Sequence, residues 1–163
     1  QDAIQAFPTA DGWINVTILR DAAAAVIRAT SAARMSHDRP WWAAAATQGN
    51  RIELQPAAVL KQRGVLFTTL RHELAHIMID LVSAQRAPRW LEEGFALYLA
   101  GEAKMISRYA TRDRLSENEL EQRLQRPRTQ DEMRTLYAEA YLMVAELIRR
   151  QGEPSVWNKL RGD

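Results

Sequence analysis

His72-Glu73-Leu74-Ala75-His76 sets two imidazoles four positions apart, with a carboxylate directly after the first. On an α-helix, positions four apart differ by only about 40° and rise by about 6 Å. Both rings then leave the same face, one turn apart. That is the arrangement two ligands of one tetrahedral metal require, with Zn–N bonds of about 2.0–2.1 Å. Glu73 leaves the helix about 100° round from His72. It flanks such an ion without binding it, and can take a proton from metal-bound water. A third ligand is available downstream in Pro88-Arg89-Trp90-Leu91-Glu92-Glu93-Gly94-Phe95-Ala96, where sixteen residues separate His76 from Glu93. That span is long enough to finish one helix, reverse, and bring a carboxylate back. Two histidines and one glutamate leave a coordination position open for water, the mark of a catalytic rather than a structural site. They also leave net positive charge on a zinc centre, which acidifies the water.

The elements that must position these groups are legible in the pattern. Val65 to about Ala84 has apolar residues at Leu66, Leu70, Leu74, Ile77 and Leu81, and reads as one long helix. Pro88 breaks it. Trp90 to Ala100 reads as a second helix stopped by Gly101. Ser116-Glu117-Asn118-Glu119 is a capping box that opens a charged helix to about Arg126. Gln130 to Gln151 is amphipathic and is stopped by Gly152, and a short helix with Val156, Trp157 and Leu160 follows. Segment 102–128 is polar and helical in character, and is a candidate cover for a cleft.

The N-terminal third has another period. Trp13 to Leu19 alternates, is rich in β-branched residues, and reads as a strand. Asp21 stands as the cap of an alanine-rich helix running to about Met35. Ser36 to Pro40 is a loop containing His37, which has no second ligand near it in sequence. Trp41 to Thr47 and Arg51 to Gln55 read as strands joined by the turn signal Gln48-Gly49-Asn50. The Trp41-Trp42 pair is expected in the core. Asp80 and the arginines 108, 112 and 114 are expected on solvated surface.

Composition narrows the classes. The chain has 163 residues, with 22 Lys+Arg against 20 Asp+Glu. No run of five like charges occurs, so nucleic acid is not an expected partner. With 47% hydrophobic and 26% charged residues the mix is that of a globular protein. The absence of cysteine excludes disulfides, thiolate metal sites and thiol nucleophiles. No apolar run approaches the roughly eighteen residues of a membrane span. A chain beginning with Gln1 fits one whose export signal has been removed, so a periplasmic or extracellular location is expected, with the cytoplasm as the alternative.

The two motifs together resemble those of the gluzincin metallopeptidases. These include the thermolysin and aminopeptidase N families, and the small peptidase MA-like domains are the nearest likeness. The aminopeptidases carry His-Glu-Leu-Ala-His followed by Trp-Leu-Asn-Glu-Gly-Phe-Ala. Here the second motif reads Trp90-Leu91-Glu92-Glu93-Gly94-Phe95-Ala96. The resemblance implies His72, His76 and Glu93 as the ligands of one zinc ion, and Glu73 as the general base. Glu92 replaces an asparagine that can hydrogen-bond a zinc histidine, which implies the same role; Glu92 as the ligand itself is the alternative. The metzincin branch is excluded, since Ile77-Met78-Ile79-Asp80 after His76 offers no glycine or third histidine where that motif has them. Tyr137-Ala138-Glu139-Ala140-Tyr141 aligns with a helix whose tyrosine supports the oxyanion in the aminopeptidases, implying Tyr137 as catalytic, with Tyr141 as the alternative. Arg51 to Gln55 resembles the edge strand these enzymes lay beside an extended substrate. The aminopeptidase glutamate that recognises a free amine has no counterpart in Ala43 to Thr47, which favours an endopeptidase or a narrow specificity.

The expectation is thus one α+β domain over 1–163 with a zincin-like fold. It would comprise a small mixed sheet in a lobe at 1–64 and a mainly helical part at 65–163. The expected function is zinc-dependent hydrolysis of peptide bonds in a peptide or protein substrate. The alternatives are a non-catalytic metallopeptidase-like binding module and a zinc hydrolase acting on a non-peptide amide or acyl group.

Overall fold

The computed structural model describes residues 3–8, 13–20, 23–31, 43–48, 51–112 and 114–162. The chain divides into two compact units, Gln1–Thr69 and Leu70–Asp163. At the coarse level the architecture is α+β.

The first unit carries a five-stranded sheet of order β1-β2-β3-β5-β4, formed by β1 (Ala3–Pro8), β2 (Trp13–Arg20), β3 (Ala23–Ser31), β4 (Ala45–Gln48) and β5 (Arg51–Leu54). The sheet is mixed: β3 runs parallel to β5, and the other neighbours are antiparallel. A helix α1 (Ala57–Gln62) follows β5 directly after Pro56. Ile52, Leu54 and Leu60 are fully buried.

Three expectations for this unit are corrected. The alanine-rich run after Asp21 is strand over Ala23–Ser31, not helix. Alanine favours helix by a few tenths of a kcal/mol per residue, but Val26, Ile27 and Thr30 suit a strand. Pairing with β2 from Trp13↔Thr30 to Arg20↔Ala23, and with β5 on the other side, provides ladder partners along both edges. Arg51–Leu54 is not an edge strand, because β3 and β4 flank it; the free edges among the described strands belong to β1 and β4. The strand expected from Trp41 begins only at Ala45. Ser36 to Pro40 with His37, and Trp41 and Trp42, lie outside the described residues.

The second unit is helical. It holds most of α2 (Leu66–Ser83), then α3 (Arg89–Ala100), α4 (Ala103–Ile106), a 3₁₀ turn at Ser107–Tyr109, α5 (Glu117–Leu124), α6 (Gln130–Gln151) and α7 (Glu153–Arg161). The caps follow the sequence. Ser116 and Glu119 form the capping box of α5, Thr129 accepts from the Glu132 amide at the start of α6, and Gly101 ends α3 in the left-handed conformation. The reversal from α2 to α3 takes five residues, 84–88, and puts both Ala84 and Gln85 at positive φ. Among the described residues, no helix is long and apolar enough to cross a membrane.

One core cluster ties these helices together, with Ala75 and Ile79 of α2, Leu91 and Phe95 of α3, Leu120 and Leu124 of α5, and Ala140 and Val144 of α6 among its members. Phe95 is fully buried and meets the Trp157 ring edge-on at 4.7 Å. Because α5 contributes core leucines, and its Glu121 accepts from the Trp90 amide, this part of segment 102–128 is built into the body and is not a free cover.

Helix α3 lies tightly against α6 at Gly94. A Cβ there would stand 2.3 Å from the Ala140 carbonyl oxygen and 2.8 Å from Val144 Cγ2. In an open helix, Gly→Ala is stabilising by up to about 1 kcal/mol. At Gly94 the sign reverses, because the new methyl meets backbone that cannot step aside. We expect Gly94→Ala to destabilise by about 1–3 kcal/mol, read as a fall in the thermal midpoint, whereas a gain would mean the helices can part without loss.

Candidate metal centre

Helix α2 presents His72 and His76 one turn apart, and α3 presents Glu93 toward them. His72 Nε2 and His76 Nε2 are 3.0 Å apart. Glu93 Oε2 lies 3.7 Å from the first and 3.5 Å from the second. A tetrahedral ion with bonds of about 2.0–2.1 Å has ligand atoms about 3.3 Å apart, and the three separations scatter around that edge length. Glu93 is 5% exposed, and its Oε2 has no hydrogen-bond partner. These three residues form the group able to hold a metal ion among the described residues.

The far sides of the rings settle which nitrogens face inward. His72 Nδ1 lies 3.0 Å from Glu102 Oε1, and His76 Nδ1 lies 2.8 Å from Glu92 Oε1. An ionised carboxylate only accepts, so each Nδ1 carries the hydrogen and donates it. Both Nε2 atoms then turn lone pairs toward each other and toward Glu93. Carboxylates behind metal-binding histidines fix the tautomer and raise the basicity of the ligand in this way.

The surrounding carboxylates favour positive charge on both imidazoles. Burial alone would lower the His72 pKa, but the Glu102 hydrogen bond and the adjacent Glu93 outweigh it and raise it to about 9. His76 is likewise pushed well up, against its burial, by Glu92 and Glu93. Burial would raise the Glu93 carboxyl, yet the flanking imidazoles hold it far below the usual carboxylate range. Arg89 Nη2 stands 3.5 Å from the other oxygen, Oε1.

Glu73 is buried on α2 between the histidines, close enough that its charge raises His76. Tyr137 of α6 is half-buried, and desolvation and the neighbouring Glu93 push its phenol well above its ordinary value, with Arg89 opposing. The structure therefore brings His72, His76, Glu93, Glu92, Glu73 and Tyr137 into one neighbourhood. Tyr141 packs against the apolar cluster of Leu97, Ile106 and Ala138, which Tyr137 also touches. Asp80 is half-buried, and its carboxyl is raised by desolvation and by the charge of Glu92.

Glu102 was not singled out from sequence. It sits one residue past Gly101, whose left-handed turn brings the Glu102 amide back to the Leu97 carbonyl at 3.0 Å. A carboxylate directly after a helix-ending glycine carries no motif of its own. Its partner is visible only when α3 lies against α2.

No family model, curated protein or solved structure matches this chain. The site therefore stands on its own geometry. Two nitrogens and one oxygen, a hard–borderline donor set with three protein ligands, suit a divalent ion of the zinc type with a position left over.

Elemental analysis of the purified protein should find one divalent ion per chain, lost in His72→Ala and in Glu93→Ala; equal metal in parent and variants would dissolve the cluster as a site. Glu102→Ala and Glu92→Ala should keep the ligands but lower metal affinity by about 10–100-fold, measured by competition with a chelator.

Proposed function

We propose that this protein is a zinc-dependent metallopeptidase of the gluzincin type, with a zincin-like fold and His72, His76 and Glu93 as the ligands of one zinc ion. The observation that carries the reading is the triangle of His72 Nε2, His76 Nε2 and Glu93 Oε2, with sides of 3.0, 3.7 and 3.5 Å. A buried carboxylate, Glu73, flanks it, and a phenol stands at its margin.

A zinc ion bound there supplies Lewis acidity, acidifying water and polarising the scissile carbonyl. The chain's own groups do the rest. Glu73 accepts a proton from the attacking water at its carboxylate and passes it to the leaving amine nitrogen. Tyr137 donates its O–H to the carbonyl oxygen as that atom gains negative charge. Its raised pKa keeps the donor protonated across the neutral range. Arg89, beside Glu93 Oε1, holds that carboxylate with Oε2 toward the imidazoles. Glu102 and Glu92 keep both rings in the tautomer that binds through Nε2.

The test is a peptide library with a metal assay run beside it. Glu73→Gln should hold as much zinc as the parent and lose about 10²–10⁴-fold in turnover. Tyr137→Phe should also keep its zinc and lose about 10²–10³-fold in kcat with little change in KM. Zinc-loaded parent that cleaves no peptide but turns over amide or acyl substrates would replace peptidase with the wider hydrolase class. Zinc-loaded parent inert to both would leave a binding module.

A further inference from the structure

Arg89 is the first residue of α3, and that end of the helix is firmly held. The Leu91 and Glu92 amides both donate to the Pro88 carbonyl at 3.0 Å, and the Trp90 amide donates to Glu121 Oε2 at 3.1 Å. Arg89 and Glu93 stand one turn apart on the same face, and Arg89 Nη2 reaches to 3.5 Å from Glu93 Oε1. The Tyr137 phenol of α6 borders both groups: Glu93 acts on it as an acceptor and Arg89 as a donor. A competition follows. A phenol has a single proton to give, and both Glu93 Oε1 and the carbonyl oxygen of a substrate can take it. Glu93 is buried and offers a charged acceptor, which makes a stronger bond than a neutral carbonyl. A guanidinium has five N–H donors in a rigid fork and accepts nothing. It can serve Glu93 Oε1 and the phenol oxygen at once, and neither contact uses the phenol proton.

We propose that Arg89 is a positioning residue for Tyr137: it occupies Glu93 Oε1 and a lone pair of the phenol oxygen, and so leaves the phenol proton for the carbonyl oxygen of the substrate. This role rests on the metallopeptidase reading and goes beyond holding Glu93 against the imidazoles. Without Arg89 the phenol turns its O–H to Glu93 and is lost to the oxyanion.

Arg89→Met keeps the reach of the side chain and removes every donor. The arginine side chain is 49% exposed, so its loss opens no core. Kinetics of zinc-loaded protein in two backgrounds test the role. With Tyr137 present, Arg89→Met should lower kcat about tenfold to a hundredfold and change KM by less than about twofold. In Tyr137→Phe the same substitution should cost less than about twofold, because no phenol remains to be aimed. An equal loss in both backgrounds, which an effect through Glu93 and the zinc would give, overturns the proposal. So does no loss in either, or a loss carried by KM. A parent that cleaves no peptide defeats the metallopeptidase reading instead, and crystal structures of the parent and Arg89→Met then decide whether Arg89 aims the phenol. Tyr137 Oη should lie within about 3 Å of Glu93 Oε1 in the variant and farther away in the parent; the same phenol position in both would overturn the proposal.

Discussion

Three electron-pair donors pointed at one another are unstable without a cation between them. This constraint organises the helical unit. His72 Nε2, His76 Nε2 and Glu93 Oε2 converge, and with Glu102 and Glu92 holding the Nδ1 hydrogens each has a lone pair to turn inward. Coulomb repulsion among such groups in a poorly hydrated interior is large. A proton relieves it in part, and against burial the Glu102, Glu92 and Glu93 carboxylates raise both imidazoles above their ordinary value. A divalent ion relieves it fully, since one charge centre then answers all three lone pairs. The fold holds the donors in place against their own repulsion, and packing supplies the force.

That force is traceable. Helix α2 is rigid across the histidine pair because Leu74, Ala75, Ile77 and Ile79 are buried around it. Helix α3 is held by Leu91 and Phe95, both fully buried on either side of Glu93. Successive residues leave a helix about 100° apart, so Glu92 and Glu93 serve different faces of the same problem. Glu93 turns inward to the two Nε2 atoms, and Glu92 reaches the outer nitrogen of His76. The absence of a side chain at Gly94 lets α6 come close enough to bring Tyr137 beside Glu93. One glycine therefore sets the distance between Glu93 and the phenol.

How much of this was legible in sequence follows from how local each signal is. The helices of the second unit were readable nearly to the residue, because apolar period, capping box and stop glycine all act within one element; α6 begins and ends at Gln130 and Gln151 as the pattern predicts. The convergence of His72, His76 and Glu93 was readable because a helix turns four-residue spacing into shared direction. The alanine-rich β3 was misread because its state is decided by β2 and β5, which no local window contains. Whether β5 lies at an edge is decided by β3 and β4 in the same non-local way. Glu102 was invisible because it lies thirty positions from the ring it serves. The short α1 and α4, four to six residues each, have too few positions to show a period.

Two buried carboxylates on adjacent helices show what such a signal misses. Among the described residues, Glu93 Oε2 and both oxygens of Glu139 are buried without a hydrogen-bond partner. The first is explained at once by the imidazoles around it, and a motif announced it. Glu139 sits two residues after Tyr137 in an otherwise apolar helical stretch, between Ala138 and Ala140, both fully buried. Pattern alone would place a small or apolar residue there, and an alanine would fold without the cost of dehydrating a charge. A carboxylate at such a position lowers stability by some kcal/mol unless something answers it, and Arg114, mostly in solvent, answers it weakly.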